Sequence, residues 1–74
     1  MTKVRNNKLI IQFGKHLRKV RIAKELSQED LANDADIPIN QIGRIERGEI
    51  NASLSTLDAI AKALNIALSE LMEF

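Results

Sequence analysis

The sequence predicts an all-α fold of five short helices. Three observations predict it. First, apolar residues recur mostly three or four residues apart in successive stretches: Leu9, Phe13, Leu17 and Val20; Ile37, Ile42 and Ile45; Leu54, Leu57, Ile60, Ala61 and Leu64. Each series is one face of a helix. Second, oxygen-bearing caps stand in front of the stretches: Ser27, with Asp30 three residues on, and Ser53 or Ser55. Third, Gly48 and Asn65 follow two of the series, where a left-handed residue ends a helix. With 74 residues, one domain over 1–74 is expected. A core this small is marginal unless its helices are well formed or chains associate.

Taken in order, residues 1–6 are polar and basic and are expected to form a flexible arm, with a helix starting near Asn6 or Asn7. Leu9, Phe13, Leu17 and Val20 give that helix its apolar stripe, and His16 falls on its polar side. Gly14 sits inside the helix at a propensity cost of about 1 kcal/mol relative to Ala, which suits close approach of another helix. Leu26 is expected to pack inward between the first two helices.

Residues 27–48, SQEDLANDADIPINQIGRIERG, read as two short helices joined by a tight turn. Leu31, Ala32 and Ala35 form one face of the first, and Asp36 interrupts it. Ile37, Ile42 and Ile45 form the apolar face of the second. Its outer face then carries Ile39, Asn40, Gln41, Gly43, Arg44 and Arg47, none of which a core needs. Pro38 suits a helix start but brings no capping oxygen. Residues 49–52 form a loop, and Leu54 to Leu64 the fourth helix. In residues 66–74, Ile66, Leu68, Leu71, Met72 and Phe74 crowd a fifth helix of one or two turns.

The motif resembles the Xre-type helix-turn-helix family, that of the phage Cro-like and repressor-like domains. The residues that carry the resemblance are Ser27-Gln28-Glu29-Asp30-Leu31-Ala32, the branched Ile37 after the turn, and Ile42-Gly43-Arg44-Ile45-Glu46-Arg47-Gly48. With its flanks, the similarity runs from Gly14 to Phe74. It implies a lambda-repressor-like fold and a DNA-binding transcriptional regulator. The chain departs from the family where glycine usually stands: Glu25 precedes Leu26, Asp36 occupies the turn, and Asn65 ends the fourth helix. Asp and Asn tolerate a left-handed backbone better than most residues. At Glu25 the connection is expected to be made differently or to carry strain.

Composition removes other classes of function. There is no Cys, and His16 is the only His, so neither a thiolate metal site nor a nucleophile–base pair is suggested. No glycine-rich phosphate loop is present. The expectation is no enzyme activity, no cofactor and no metal. The apolar stretches are too short for a membrane span and the N-terminus lacks a secretory signal, so a cytoplasmic setting is expected. Net charge is only +1, but it is unevenly placed. Residues 1–24 hold eight bases and no acid; residues 25–74 hold three bases and ten acids. Such asymmetry marks a nucleic-acid contact or two halves that neutralise each other in the fold.

The expected partner is double-stranded DNA, read in the major groove. Asn40 and Gln41 have amides that pair with adenine, Arg44 a guanidinium that pairs with guanine, and Ile39 a surface for a thymine methyl. Gln28 lies at a helix N-terminus, where free amides favour a phosphate. The family implies a phosphate contact for it, often with bracing of a recognition-helix side chain. Arg47 ends the recognition helix; phosphate and the helix dipole suit it about equally. In the next loop only Asn51 and backbone amides remain for phosphate, since Lys and Arg are absent there. Modest affinity per subunit follows, with help from Lys3, Arg5 or Lys8 if the arm reaches DNA. Similarity to the phage repressors implies a structural salt bridge between Arg21 and Glu46. Leu68, Met72 and Phe74, in the 66–74 segment, are candidates for a homodimer contact that sets two recognition helices about 34 Å apart; otherwise they cap the monomer core. The alternative function is a protein-interaction module, such as a toxin-binding antitoxin, using the same fold and an unknown protein partner.

Overall fold

The computed structural model describes residues 4–74. Its elements are α1 (Asn7–Ala23), α2 (Gln28–Ala35), α3 (Ile39–Glu46), α4 (Leu54–Ala63) and α5 (Leu68–Leu71), with no strand among the described residues. Of the expected arm, residues 1–3, and Lys3 with them, lie outside the described residues. Asn6 caps α1, its side chain accepting from the Leu9 N–H. Arg5 donates to the Asn7 side chain and to the Glu49 carbonyl.

The helix starts follow local chemistry. Ser27 and Asp30 close a capping box on α2, at 2.9 and 3.0 Å, and Ser53 caps α4. Pro38 precedes α3 without any side-chain cap. The helix ends share one device. After α1, α2, α3 and α4 stand Glu25, Asp36, Gly48 and Asn65, all left-handed with φ between 57° and 72°. Each donates its N–H to a carbonyl three residues back. The next residue donates to a carbonyl five residues back: Leu26 to Arg21, Ile37 to Ala32, Glu49 to Arg44, Ile66 to Ala61. This paired bond satisfies the orphan carbonyls of a helix end. Glu25 therefore makes the same turn a glycine would make, which settles the expectation of a different connection in favour of strain.

The core gathers Phe13 and Leu17 of α1, Leu31 and Ala32 of α2, Ile42 and Ile45 of α3, Ile60 and Ala61 of α4, then Leu64 and Leu71. Helix α3 packs on both α1 and α2, while α4 packs on α2 and α5. Gly14 lets α1 and α3 meet. A Cβ there would lie 2.6 Å from the Glu46 carbonyl oxygen and closer still to that of Ile45.

Four expectations are corrected. Leu54 is not in the buried stripe: as the first residue of α4 it precedes the packed turns and is 72% exposed. Leu9 is likewise half exposed at the start of α1. Ile37 lies in the turn before α3 rather than on its face, half-buried as the residue after the left-handed Asp36. His16 is half-buried, not on a free polar side. Its ring stacks on Phe74 at 5.6 Å, and its Nε2 is buried with no partner among the described residues.

Candidate nucleic-acid interface

Helix α3 is amphipathic over only eight residues. Ile42 and Ile45 are buried to 0% and 1% exposure, which fixes the direction of the opposite face. On that face Asn40 and Arg44 are exposed; Ile39, the first residue of the helix, is 47% exposed at its open N-terminal end beside the buried stripe rather than opposite it. Asn40 and Arg44, four residues apart, stand one turn from each other on the same side. Gln41 is half-buried. Gly43, which the sequence places on the outer face, is buried instead: its missing Cβ leaves room for the Gln28 and Arg47 side chains to lie over the helix. Arg47 and Asn51 are exposed beyond the end of α3.

A buried ion pair holds the C-terminal end of α3. Arg21 of α1 meets the carboxylate of Glu46 with two parallel bonds, Nε to Oε2 at 2.6 Å and Nη2 to Oε1 at 3.0 Å. Its third arm, Nη1, donates to the Leu26 carbonyl at 2.7 Å. Hydrogen bonding to Glu46 pushes the Arg21 guanidinium pKa up, against the opposing effect of desolvation. The fork geometry matches a carboxylate in a way a Lys would not. Gln28, in the first turn of α2, donates Nε2 to the same Glu46 Oε1 at 3.1 Å. One carboxylate thus ties α1, α2 and α3 together, and the Gln28 amide is oriented by it.

The exposed arginines are also partnered. Arg47 Nε meets Glu49 Oε2 at 2.6 Å, and Arg44 Nε lies 3.6 Å from Glu49 Oε1. The Arg47 pair holds the Glu49 carboxyl below the usual carboxylate range, its hydrogen bond being the first cause. Sequence reasoning misses Glu49, because its loop stands out only as short of bases. A signal for it exists: a Glu two residues past Arg47 and one past a helix-ending glycine.

The C-terminal candidates divide. Leu68 packs on the core. Met72 and Phe74 are 42% and 47% exposed. They border a shallow apolar hollow of about 90 Å³ together with Leu9, Phe13 and Ile50. Phe74 also sets its ring edge-on to Phe13, with centroids 5.6 Å apart. Among the described residues no cluster of side chains could hold a metal ion. None of their helices is long and apolar enough to cross a membrane.

Comparison with known proteins agrees with the helix-turn-helix fold. The profile of the family described as helix-turn-helix matches residues 17–71. The control protein C.BamHI of Bacillus amyloliquefaciens is 38% identical over 69 residues, 92% of this chain and 85% of that one. The control protein C.MunI of a Mycoplasma species is 42% identical over 66 residues, covering 88% of this chain and 89% of that one. Among solved structures, the restriction-modification controller protein C.AhdI of Aeromonas hydrophila superposes with a TM-score of 0.83 at 41% identity, over 89% of this chain and 98% of that one. The chain belongs to the Xre-like helix-turn-helix family.

Proposed function

We propose that the chain is a sequence-specific DNA-binding transcriptional regulator that acts as a homodimer on a two-fold symmetric site. The observation that carries this reading is the α3 face: Ile39, Asn40 and Arg44 stand exposed on a helix whose other side is fully buried and whose end is locked by Arg21, Glu46 and Gln28. Such a helix presents side chains to base edges at fixed angles. Ile39, Asn40, Gln41 and Arg44 are the base readers; Gln28, Arg47 and Asn51 meet phosphate. Likeness to the control proteins over most of their length supports the regulatory role. The setting that goes with it is the cytoplasm.

One half-site read by four side chains discriminates weakly, and a two-fold pair doubles the contacts. Met72 and Phe74, with Leu9 beside them, form the apolar surface proposed to make that pair.

Selection from a random duplex library tests the reading. The expected product is a symmetric site with half-sites about one turn, 34 Å, apart. Arg44→Ala should relax the preference at one base pair per half-site, and removing each arginine–guanine pairing should cost about 1–3 kcal/mol. Gln28→Ala should weaken binding to all duplexes alike. Enrichment of no sequence, with weak binding that vanishes at physiological salt, would refute the proposal.

A further inference from the structure

We propose that Glu49 is an internal competitor for DNA. In the free protein its carboxylate holds Arg44 and Arg47; phosphate of any duplex draws off Arg47, but only a guanine in register draws off Arg44. Glu49 thereby sets the discrimination between specific and random DNA. This rests on the DNA-binding reading above and adds to it a residue that need not touch a base.

Three observations support it. The first is the geometry: one carboxylate spans two arginines, 2.6 Å from Arg47 and 3.6 Å from Arg44, using a different oxygen for each. The second is that Glu49 is not a loose surface residue. Its N–H donates to the Arg44 carbonyl at 2.9 Å, and its carbonyl accepts from Arg5 at 3.2 Å. Its main chain is bonded on both sides, so the carboxylate departs from the start of a fixed turn. The third is a contrast among the four helix ends. The residue after the left-handed position is Leu26, Ile37 and Ile66 at α1, α2 and α4, and all three pack on the core. At α3 alone it is an acid, and it faces the arginines.

The pairs are about half exposed, with side-chain exposures of 47% for Glu49, 52% for Arg44 and 58% for Arg47. Water and salt screen pairs of this kind, so each is a weak restraint that a true partner displaces. A bidentate guanine contact suffices. A scrambled duplex offers Arg44 no guanine in register, and there the carboxylate both retains Arg44 and repels the backbone.

The test measures binding of the library-selected duplex and of a scrambled duplex of equal length, across a salt series, for wild type, Glu49→Gln and Glu29→Gln. Glu29 is an exposed acid in the first turn of α2 with no arginine partner among the described residues, so its change controls for net charge. Glu49→Gln should raise affinity for the scrambled duplex about tenfold, and its salt slope should steepen by about 2 per dimer, one added phosphate contact per subunit. Affinity for the selected duplex should rise much less, so the ratio falls. Glu29→Gln should raise both duplexes together. Equal gains on both duplexes for Glu49→Gln, or no gain on either, would overturn the proposal while leaving DNA binding intact. Failure of wild type to bind any duplex would remove the DNA-binding reading and this inference with it.

Discussion

Gly14→Ala sets two effects of opposite sign against each other. In an exposed helix the change is stabilising, by about 1 kcal/mol of helix propensity. Here the new methyl would sit 2.6 Å from the Glu46 carbonyl oxygen and nearer to that of Ile45. Ordinary contact begins near 3.4 Å, and the nearer Ile45 carbonyl sets the demand, so α1 and α3 must part by about 1 Å. The obstacles are main-chain atoms, which no rotamer change removes. Overpacking of this kind costs about 3 kcal/mol, the upper part of the usual range. The net loss is about 2 kcal/mol, out of about 4–11 kcal/mol for a domain of this length. The midpoint of thermal unfolding, followed by far-ultraviolet circular dichroism, should fall by about 8–16 °C. An unchanged or higher Tm would show that propensity wins, and that the close approach of α1 to α3 does not limit the fold.

Two further predictions concern the charged groups. Glu46→Gln leaves the Arg21 guanidinium buried against a neutral amide and should cost about 3–5 kcal/mol in urea denaturation. Arg21→Met combined with Glu46→Leu should recover most of that loss; a single-variant cost below about 1 kcal/mol would contradict the burial argument. Asp30 has its pKa lowered, first by the backbone hydrogen bond at Ser27 and then by the Ser27 side chain. A carboxyl depressed by folding stabilises the native state above its unfolded pKa, and that contribution fades as pH falls through the lower folded value. The stability advantage of wild type over Asp30→Ala should therefore be full near neutrality and shrink in acid below the ordinary carboxylate range. An advantage that grew on acidification would reverse the assignment.

Much of the fold was legible because it is written in local chemistry. Ser27 with Asp30 and Ser53 each act within a few residues of themselves, and the stripe of Phe13 and Leu17 is set by helical spacing alone. What escaped the sequence depends on partners distant in the chain. His16 reads as a polar residue on a basic helix until Phe74, the last residue, stacks on its ring. Gly43 reads as part of an open face until Gln28 arrives from α2 to lie over it. Glu25 reads as a break in the family pattern because its left-handed backbone costs about 1–2 kcal/mol. Burial of Leu26 and its bond to the Arg21 carbonyl hold the turn regardless. In the site, residue types were readable, but not the pairing of two arginines with Glu49, which depends on how the turn after Gly48 aims a side chain.

The two ends of α3 are held very differently, and this bears on how it would read DNA. Eight residues are too few for a stable helix alone, so its order comes from packing. At the N-terminal end Pro38 supplies a fixed φ but no capping bond, and Ile39 and Asn40 are exposed. At the C-terminal end everything converges on one turn: Gly14 against the Ile45 and Glu46 carbonyls, Arg21 and Gln28 on the Glu46 carboxylate, and the paired hydrogen bonds that Gly48 and Glu49 make. Arg44 projects from that anchored turn, Asn40 from the turn before it. A side chain on a rigid mount loses less freedom on binding and suffers more from a mismatched base than one on a mobile mount. On the proposed reading, base discrimination by this helix would concentrate under Arg44, and Glu49, bonded to the same turn, would act on the position where discrimination is greatest.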